Sequence, residues 1–511
     1  MARSLRERRA RAGTRRPVAV ARPIPMPAPF GGLNTRDAID QMPANDAILM
    51  DNMFPSEGKV SVREGKTTFC DIGVVGSIES LFEFHSGATN QLVAAIGGEI
   101  YNISSGTAVS ISDVGSPYAN DRWRGVNFNG VMPLVNGADA PRSWDGTTMT
   151  TPAWVGPVIA NLSGVHAHKF RLYFWTGNDQ SFWYGAPNAI TGALTEFNLS
   201  RVTGLGGKLI NVASWTVDGG SGPDDYIVLI FSTGAAVVYQ GSDPGTAADW
   251  ALVGIYNIPE PMGGNRCAIK VGSDLNILTK LDLVPLTAVL RGGYDYNVNK
   301  TKITGAIKLA AKTHSTTFGW QIAIDPNGEM LVINQPSYNS EYNQLVMNTT
   351  TGAWCRFVDM NVVCWSRYNG DLYMGGQDGI VYKLSGTSDD GVAIEASCIQ
   401  AWSDLGVPME KTVPMVRPVI AAEGSISFSM KVGFDFAEFS ATAPSGSVSS
   451  GAPWDTSPWD TSPWSPEGIV FTEWRLAAGK GTFVAMNLKL SALQAISWLR
   501  TDYRAIIAGN P

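Results

Sequence analysis

His166 and His168 stand one residue apart, the spacing that puts two side chains on one face of a β-strand and lets two imidazoles approach one metal ion. The chain has only two other His, at 85 and 314, and no carboxylate at a telling distance from the pair, so the pair is expected to be structural. "TGLGGK" at 203–208 has the composition of a phosphate loop. Its Gly204, Gly206 and Gly207 lack the Walker spacing, however, and Lys208 is not followed by Ser or Thr. Glycoside hydrolysis needs two carboxyls about 5 to 9 Å apart. Asp224, Asp225, Asp243, Asp389 and Asp390 lie in Gly-rich, turn-like contexts where Asp accepts from nearby backbone N–H groups without doing chemistry. No Gly-x-Ser-x-Gly elbow marks a nucleophile. The five Cys (70, 267, 355, 364 and 398) include no CxxC and are odd in number. Cys355 and Cys364 are the two that a hairpin could bring face to face, but reduced core thiols are the expectation. The chain is therefore expected to be no enzyme and to carry no catalytic residue, cofactor or metal. "WDTSPWDTSPW" places Trp454, Trp459 and Trp464 at a five-residue period in Pro-stiffened loops. Exposed indoles beside Asp can stack on sugars, but the expected role is to pin a long loop onto a neighbouring domain or subunit.

The elements that would position such residues are mostly short strands. At 511 residues the chain has room for two to four domains, at roughly 150 residues each. It is 44% hydrophobic but only 16% charged, with 55 Gly and 29 Pro, against about 25% charged in an average soluble domain. From about 70 to 385 one theme recurs: an apolar strand, a turn rich in Gly, Asn or Asp, and a second strand. The units begin near Leu92, Gly130, Phe170, Tyr226, Asp274, Gln321 and Gly370, 38 to 56 residues apart. That is close to the 40 to 50 residues of a four-stranded blade. Gly97-Gly98, Asn327-Gly328 and Asp378-Gly379 supply the positive φ of tight hairpin turns. The reading is all-β: an irregular β-propeller, an additional C-terminal β-sandwich or barrel-like domain, and an extended N-terminal arm. The boundaries fall at 1–29 for the basic, Pro-rich arm, 30–69 for a segment docking on the core, 70–385 for the propeller, and 386–511 for the C-terminal domain with its Trp-Asp loop. Residues 40–53 and 301–312 are the two weak helix candidates. WD-repeat, kelch and sialidase-box signatures are missing.

Charge is unevenly placed. Residues 1–22 hold eight of the 38 Lys and Arg and one of the 45 Asp and Glu, leaving 30 against 44, a net of −14, in the rest. An acidic body is a poor sequence-specific ligand for DNA but suits a surface that DNA slides past. "PVAVARPIPMPAP" is broken by Arg22 and by prolines where an export signal has an apolar run, and no stretch approaches the roughly 18 apolar residues of a membrane helix. No export and no membrane insertion are expected.

The start of the chain carries one specific pattern: Phe30-Gly31-Gly32-Leu33-Asn34-Thr35, Asp37, then "AILMDNMFPSEGKVSVREG" ending at Gly65. It resembles the N-terminal signature of the tail nozzle family of short-tailed bacteriophages (podoviruses), also called tail tubular protein B or the tail hub. The signature covers about 35 residues; the hairpins, the Trp-Asp repeat and the final strand around Trp498–Tyr503 are similar more loosely. The resemblance implies a virion protein without catalytic residues, assembled in the host cytoplasm. It would form a homo-hexamer under the tail adaptor (head-to-tail connector) protein, with a propeller in each subunit and tail fibres or spikes attached. Phage genomic DNA would pass through the channel without sequence-specific binding. Phe30, Met53, Phe54, Trp454, Trp459 and Trp464 would then be docking and assembly contacts. The rival reading is a secreted or surface β-propeller that binds glycans or acts as a glycosidase. The Arg-rich leader departs from the signature.

Overall fold

A computed structural model describes residues 22–204, 206–218, 223–290, 300–325, 327–337, 339–444 and 469–507. The described chain is almost all β, in two parts.

The first part is a propeller. Six of its sheets are self-contained, and we number the blades by chain order. Blade 1 is Ser80–Ser86, Thr89–Ile96, Glu99–Asn102 and Val109–Ser110; blade 2 is Arg124–Gly125, Met132–Val135, Arg142–Trp144 and Met149–Thr150. Blade 3 is Gly164–His168, Arg171–Trp175, Ser181–Tyr184 and Thr195–Asn198; blade 4 is Leu209–Asp218, Pro223–Phe231, Ala235–Gly241 and Trp250–Asn257. Blade 5 has three strands, Ala268–Val271, Asp274–Leu278 and Leu283–Pro285. A further meander, Gln321–Asp325, Met330–Asn334, Asn343–Asn348 and Trp354–Val358, occupies the next sector, here blade 6, but runs on edge to edge into the second part of the molecule. The last sheet, blade 7, is Val362–Tyr368, Asp371–Gly376 and Ile380–Leu384. Its fourth strand comes from the other end of the chain: Lys66–Asp71 pairs antiparallel with Ile380–Leu384, setting Cys70 opposite Val381. Ring closure therefore rests on backbone hydrogen bonds between segments some 300 residues apart.

First strands of successive blades touch from blade 2 round to blade 7 and back to blade 1. Asn127 bridges blades 1 and 2, donating from its side chain to Glu83 O and accepting from His85 N. Apolar side chains alternate across the sheets, so separate buried clusters lie between successive blades from 1 to 6 and between 7 and 1, while the residues between blades 6 and 7 belong to the same core as the sandwich. Phe84, Trp123 and Trp144 lie between blades 1 and 2; Trp175, Phe182 and Phe231 lie between 3 and 4; Cys70, Leu92, Cys364 and Val381 lie between 7 and 1. Hairpin turns fall at Gly97-Gly98 and Gly379, with the expected positive φ. At 325–330 the outcome differs: Glu329, not Gly328, takes the left-handed conformation.

The second part is a sandwich woven from both ends of the chain. One sheet joins Arg22–Pro27, Met53–Ser56, Lys59–Val62, Lys411–Ala422, Ile469–Phe471, Arg475–Gly481 and Ile496–Ile507. The other continues from blade 6 through Asp46–Asp51, Ile394–Gln400 and Val484–Ala492 to Ser427–Phe434, with the short Gly32–Leu33 strand beside Asp46–Asp51. Met26, Met53, Val60, Trp498 and Tyr503 from the first sheet meet Met50, Cys398, Met486 and Leu488 from the second in one core. The segment 30–69 thus contributes strands to both sheets and to blade 7.

Of the two helix candidates, one is corrected. Residues 46–51 and 53–56 are strands: "DAILMD" is a central strand paired along both edges, with Ala47 and Met50 buried and Ile48 and Leu49 half-buried. The other is a helix, Thr304–His314, packed between blades 5 and 6 through Ile307 and Ala311. All five Cys are buried free thiols. Cys355 lies in blade 6 and Cys364 in blade 7 rather than across one hairpin. Burial pushes Cys267 up to about 11 and Cys364 up to about 12. No described helix is long and apolar enough to cross a membrane.

Candidate assembly site at the propeller–sandwich junction

Residues 30–65 sit where propeller, sandwich and the Thr304–His314 helix meet. Gly32 has φ +82°, and a Cβ there would lie 2.5 Å from Trp354 O, so this position takes only glycine without displacing backbone. Two residues on, Asn34 closes a local turn by accepting from the N–H groups of Arg36 and Asp37, while its amide donates to Asp37 and Asp46, 2.8 Å each. Asp46 is fully buried. Its other oxygen accepts from Lys302 Nζ at 2.6 Å, and Lys302 also donates to Gly31 O. The Arg36 guanidinium, with Asn34 adding a second bond, holds the Asp37 carboxyl down at about 2.

Thr35 reaches the helix. Its Oγ1 accepts from Ala306 N at 3.1 Å, satisfying one of the open N–H groups of a helix whose own N-cap residue, Ile303, has no capping side chain. Asn52, in the left-handed region at φ 55°, accepts from Arg63 Nε and Val358 N and donates to Glu395 O. Arg63 then grips Asp389 with both Nη atoms, at 2.9 and 2.7 Å, its side chain only 1% exposed. Asp51 and Arg356 form a second bidentate pair, at 2.7 and 2.9 Å. Planar two-point contacts fix orientation as well as distance.

Three of the six residues expected to dock are brought together here. Met53 is fully buried, and Phe30 and Phe54 are partly buried against the same sandwich core. Trp454, Trp459 and Trp464 lie outside the described residues. Spacing did not disclose Asn34, Asp46, Lys302, Arg63 or Arg356 as members of this junction. Asp389, read as a turn-capping residue, has its backbone in a turn with Val392, but its carboxylate accepts from Arg63 and Lys66 N rather than from the N–H groups of that turn.

His166 and His168 lie on the first strand of blade 3 with both rings on one face, and both bond Ser214 Oγ on the first strand of blade 4, at 2.8 Å each. One hydroxyl has a single proton, so it donates to one ring and accepts from the other. Burial drives His166 down to about 3 and His168 to about 4. No group of three or more His, Cys, Asp or Glu among the described residues is placed to hold a metal. Asp225 accepts from Thr216 Oγ1, and Asp243 pairs with Arg171 at 3.2 Å.

No protein-family model matches this chain, and no curated protein matches it. Among solved structures it is similar to the computationally designed Ika8 protein, at 12% identity over 66% of this chain and 96% of that one, with a TM-score of 0.38. It is also similar to the WD40 β-propeller domain of Doa1, at 8% identity over 63% and 97%, TM-score 0.40. A third similar structure is the extracellular domain of the hybrid two-component system BT4673 from B. thetaiotaomicron, at 10% identity over 62% and 39%, TM-score 0.41.

Proposed function

We propose that this chain is the tail nozzle of a short-tailed bacteriophage: a virion protein without catalytic residues, six copies of which ring and close the DNA-ejection channel below the adaptor and carry fibres or spikes. The observation that carries the reading is the use of residues 30–65. The polar residues of the nozzle-like signature, from Asn34 to Arg63, are spent on joining the propeller, the helix and the sandwich. A motif used this way is architectural, and a virion subunit that must hold its shape against pressurised DNA needs a stiff junction. The net of −14 over residues 23–511 adds support, because it disfavours adhesion of passing phosphates.

The test is made on particles. An antibody fragment against residues 450–466, imaged on phage by cryo-electron microscopy, should decorate the distal end of a short tail in a sixfold array. Phe54→Ala should stop maturation of the particle while leaving the isolated chain folded. Particles that lack the protein would overturn the reading. Glycan binding by the purified chain that disappears in Trp459→Ala would replace it with the sugar-binding alternative.

A further inference from the structure

The solvent side of the first sandwich sheet carries a pattern that the junction does not use. Val413, Val416, Tyr503 and Met26 point into the core, so their neighbours on the same strands point out. Strand register sets these outward residues in rows. Leu476, Met415, Arg504 and Pro23 form one row across four adjacent strands. Arg417, Asp502 and Pro25 form the next, and Arg500 and Pro27 continue a third. Trp474, just before the Arg475–Gly481 strand, extends the second row: the Arg417 and Arg504 guanidiniums lie over its ring, 4.8 and 5.7 Å from its centre. No described element covers this face. Leu476 is 79% exposed, and the three prolines, Arg500 and Arg504 are exposed as well. Asp502 is the one carboxylate in the rows, and it is shared: Arg417 Nη2 donates to it at 2.5 Å and Arg500 Nε lies 3.2 Å away. Arg504 has no ion pair among the described residues and touches Met415 Sδ at 4.0 Å.

With three Arg against one Asp, the face is cationic in a chain whose net charge is −7. The basic leader enters the molecule at its edge, because the Arg22–Pro27 strand is the outermost of the four. Set apart the face and residues 1–22, and the remainder holds 27 Lys and Arg against 43 Asp and Glu, a net of −16. Trp, Met, Leu and Pro beside Arg is the make-up of a protein interface, and its apolar share offers nothing to a phosphate backbone. Two such faces repel one another, which disfavours pairing of the face with itself. Four strands deep and some 20 Å along them, the face covers roughly 400 Å² at sheet spacings. That is half of the ~800 Å² a side that a stable interface buries, and the leader supplies further contact length. We propose that this face, extended by the basic leader, docks on the acidic surface of a second copy of the chain. Such a contact is heterologous, the kind that closes into a ring when its rotation allows. The inference deepens the proposed ring and rests on that reading only for the number of copies.

The test uses the full chain in solution. Sedimentation equilibrium is run at about 0.1 M and about 1 M salt, where charges are screened beyond about 10 and 3 Å. Association that weakens about tenfold or more at the higher salt is expected. Arg504→Glu and Leu476→Glu, both at exposed positions, should each weaken it about tenfold while Tm stays close to that of the parent. A photo-crosslinking residue in place of Leu476 should join position 476 to acid-rich segments elsewhere in the second copy. A chain that is monomeric at every concentration, association that both variants leave unchanged, or a crosslink from 476 to 476 each overturns the proposal. Tight binding of a DNA duplex by a monomeric chain overturns it too, and assigns the face to nucleic acid. Solution assembly tests the contact and phage imaging tests the nozzle, so either can fail without the other.

Discussion

Arg63 gives two donors to Asp389 and a third to Asn52 from a position almost closed to solvent. Asp389→Ala leaves that guanidinium buried and unpaired, so a loss of about 3 to 5 kcal/mol is expected, seen as a lower urea midpoint with an unchanged slope. The His166–Ser214–His168 arrangement makes a pH prediction. Both rings have folded pKa values below the ordinary 6.5, so the neutral forms favour the folded state. Their contribution is complete above about pH 6.5 and is lost as pH falls toward about 4 for His168 and about 3 for His166. Each ring that must take up a proton to unfold adds up to about 1.4 kcal/mol per pH unit to the slope of stability. In chemical denaturation between pH 7 and 4, the double change His166→Gln, His168→Gln should flatten that slope; parallel curves would refute the assignment. The one-face geometry of this pair was legible, because an alternating strand imposes it. Ser214 was not, since nothing in the local pattern ties a Ser to a ring 46 residues away.

Thr35 caps a helix that begins 269 residues later in the chain. Thr35→Ala should cost about 1 kcal/mol, with faster amide exchange concentrated at Ala306 and the first turn. At this scale the hairpins were readable because turn residues and period-two alternation are local signals. Leu372 and Met374, then Ile380, Tyr382 and Leu384, sit on the strands that pattern implied. Residues 46–51 misled because a short run such as "AILM" lacks any periodicity that separates a buried strand from a helix; its neighbours in the sheet decide the matter. The turn at 325–330 shows a smaller version of the same limit, with the strained φ placed one residue past the glycine.

Over the whole molecule, the repeat of strand pairs at blade-like intervals disclosed the propeller. Pairings between distant segments left no periodic trace, and so the passage of blade 6 into the sandwich sheet was hidden, as was the closure of blade 7 by Lys66–Asp71. Arg22–Pro27 lies antiparallel to Arg500–Ala505, which makes a domain-level prediction. Deleting residues 22–27 should raise hydrogen exchange in Ile496–Ile507 and Lys411–Ala422, while blades 1 to 4 keep their protection. Uniform loss of protection would show that propeller and sandwich unfold as one unit.

That same pairing bears on how the protein is made. A ribosome releases the first strand of the sandwich hundreds of residues before the strand it must lie against, so during synthesis the propeller blades can mature in order while the opening segment waits without its partner. Its prolines Pro23, Pro25 and Pro27 remove hydrogen-bond donors from the waiting edge, a known guard against mispairing. Completion of the last dozen strand residues, Ile496–Ile507, would then be the event that locks the opening strand Arg22–Pro27 into the sandwich.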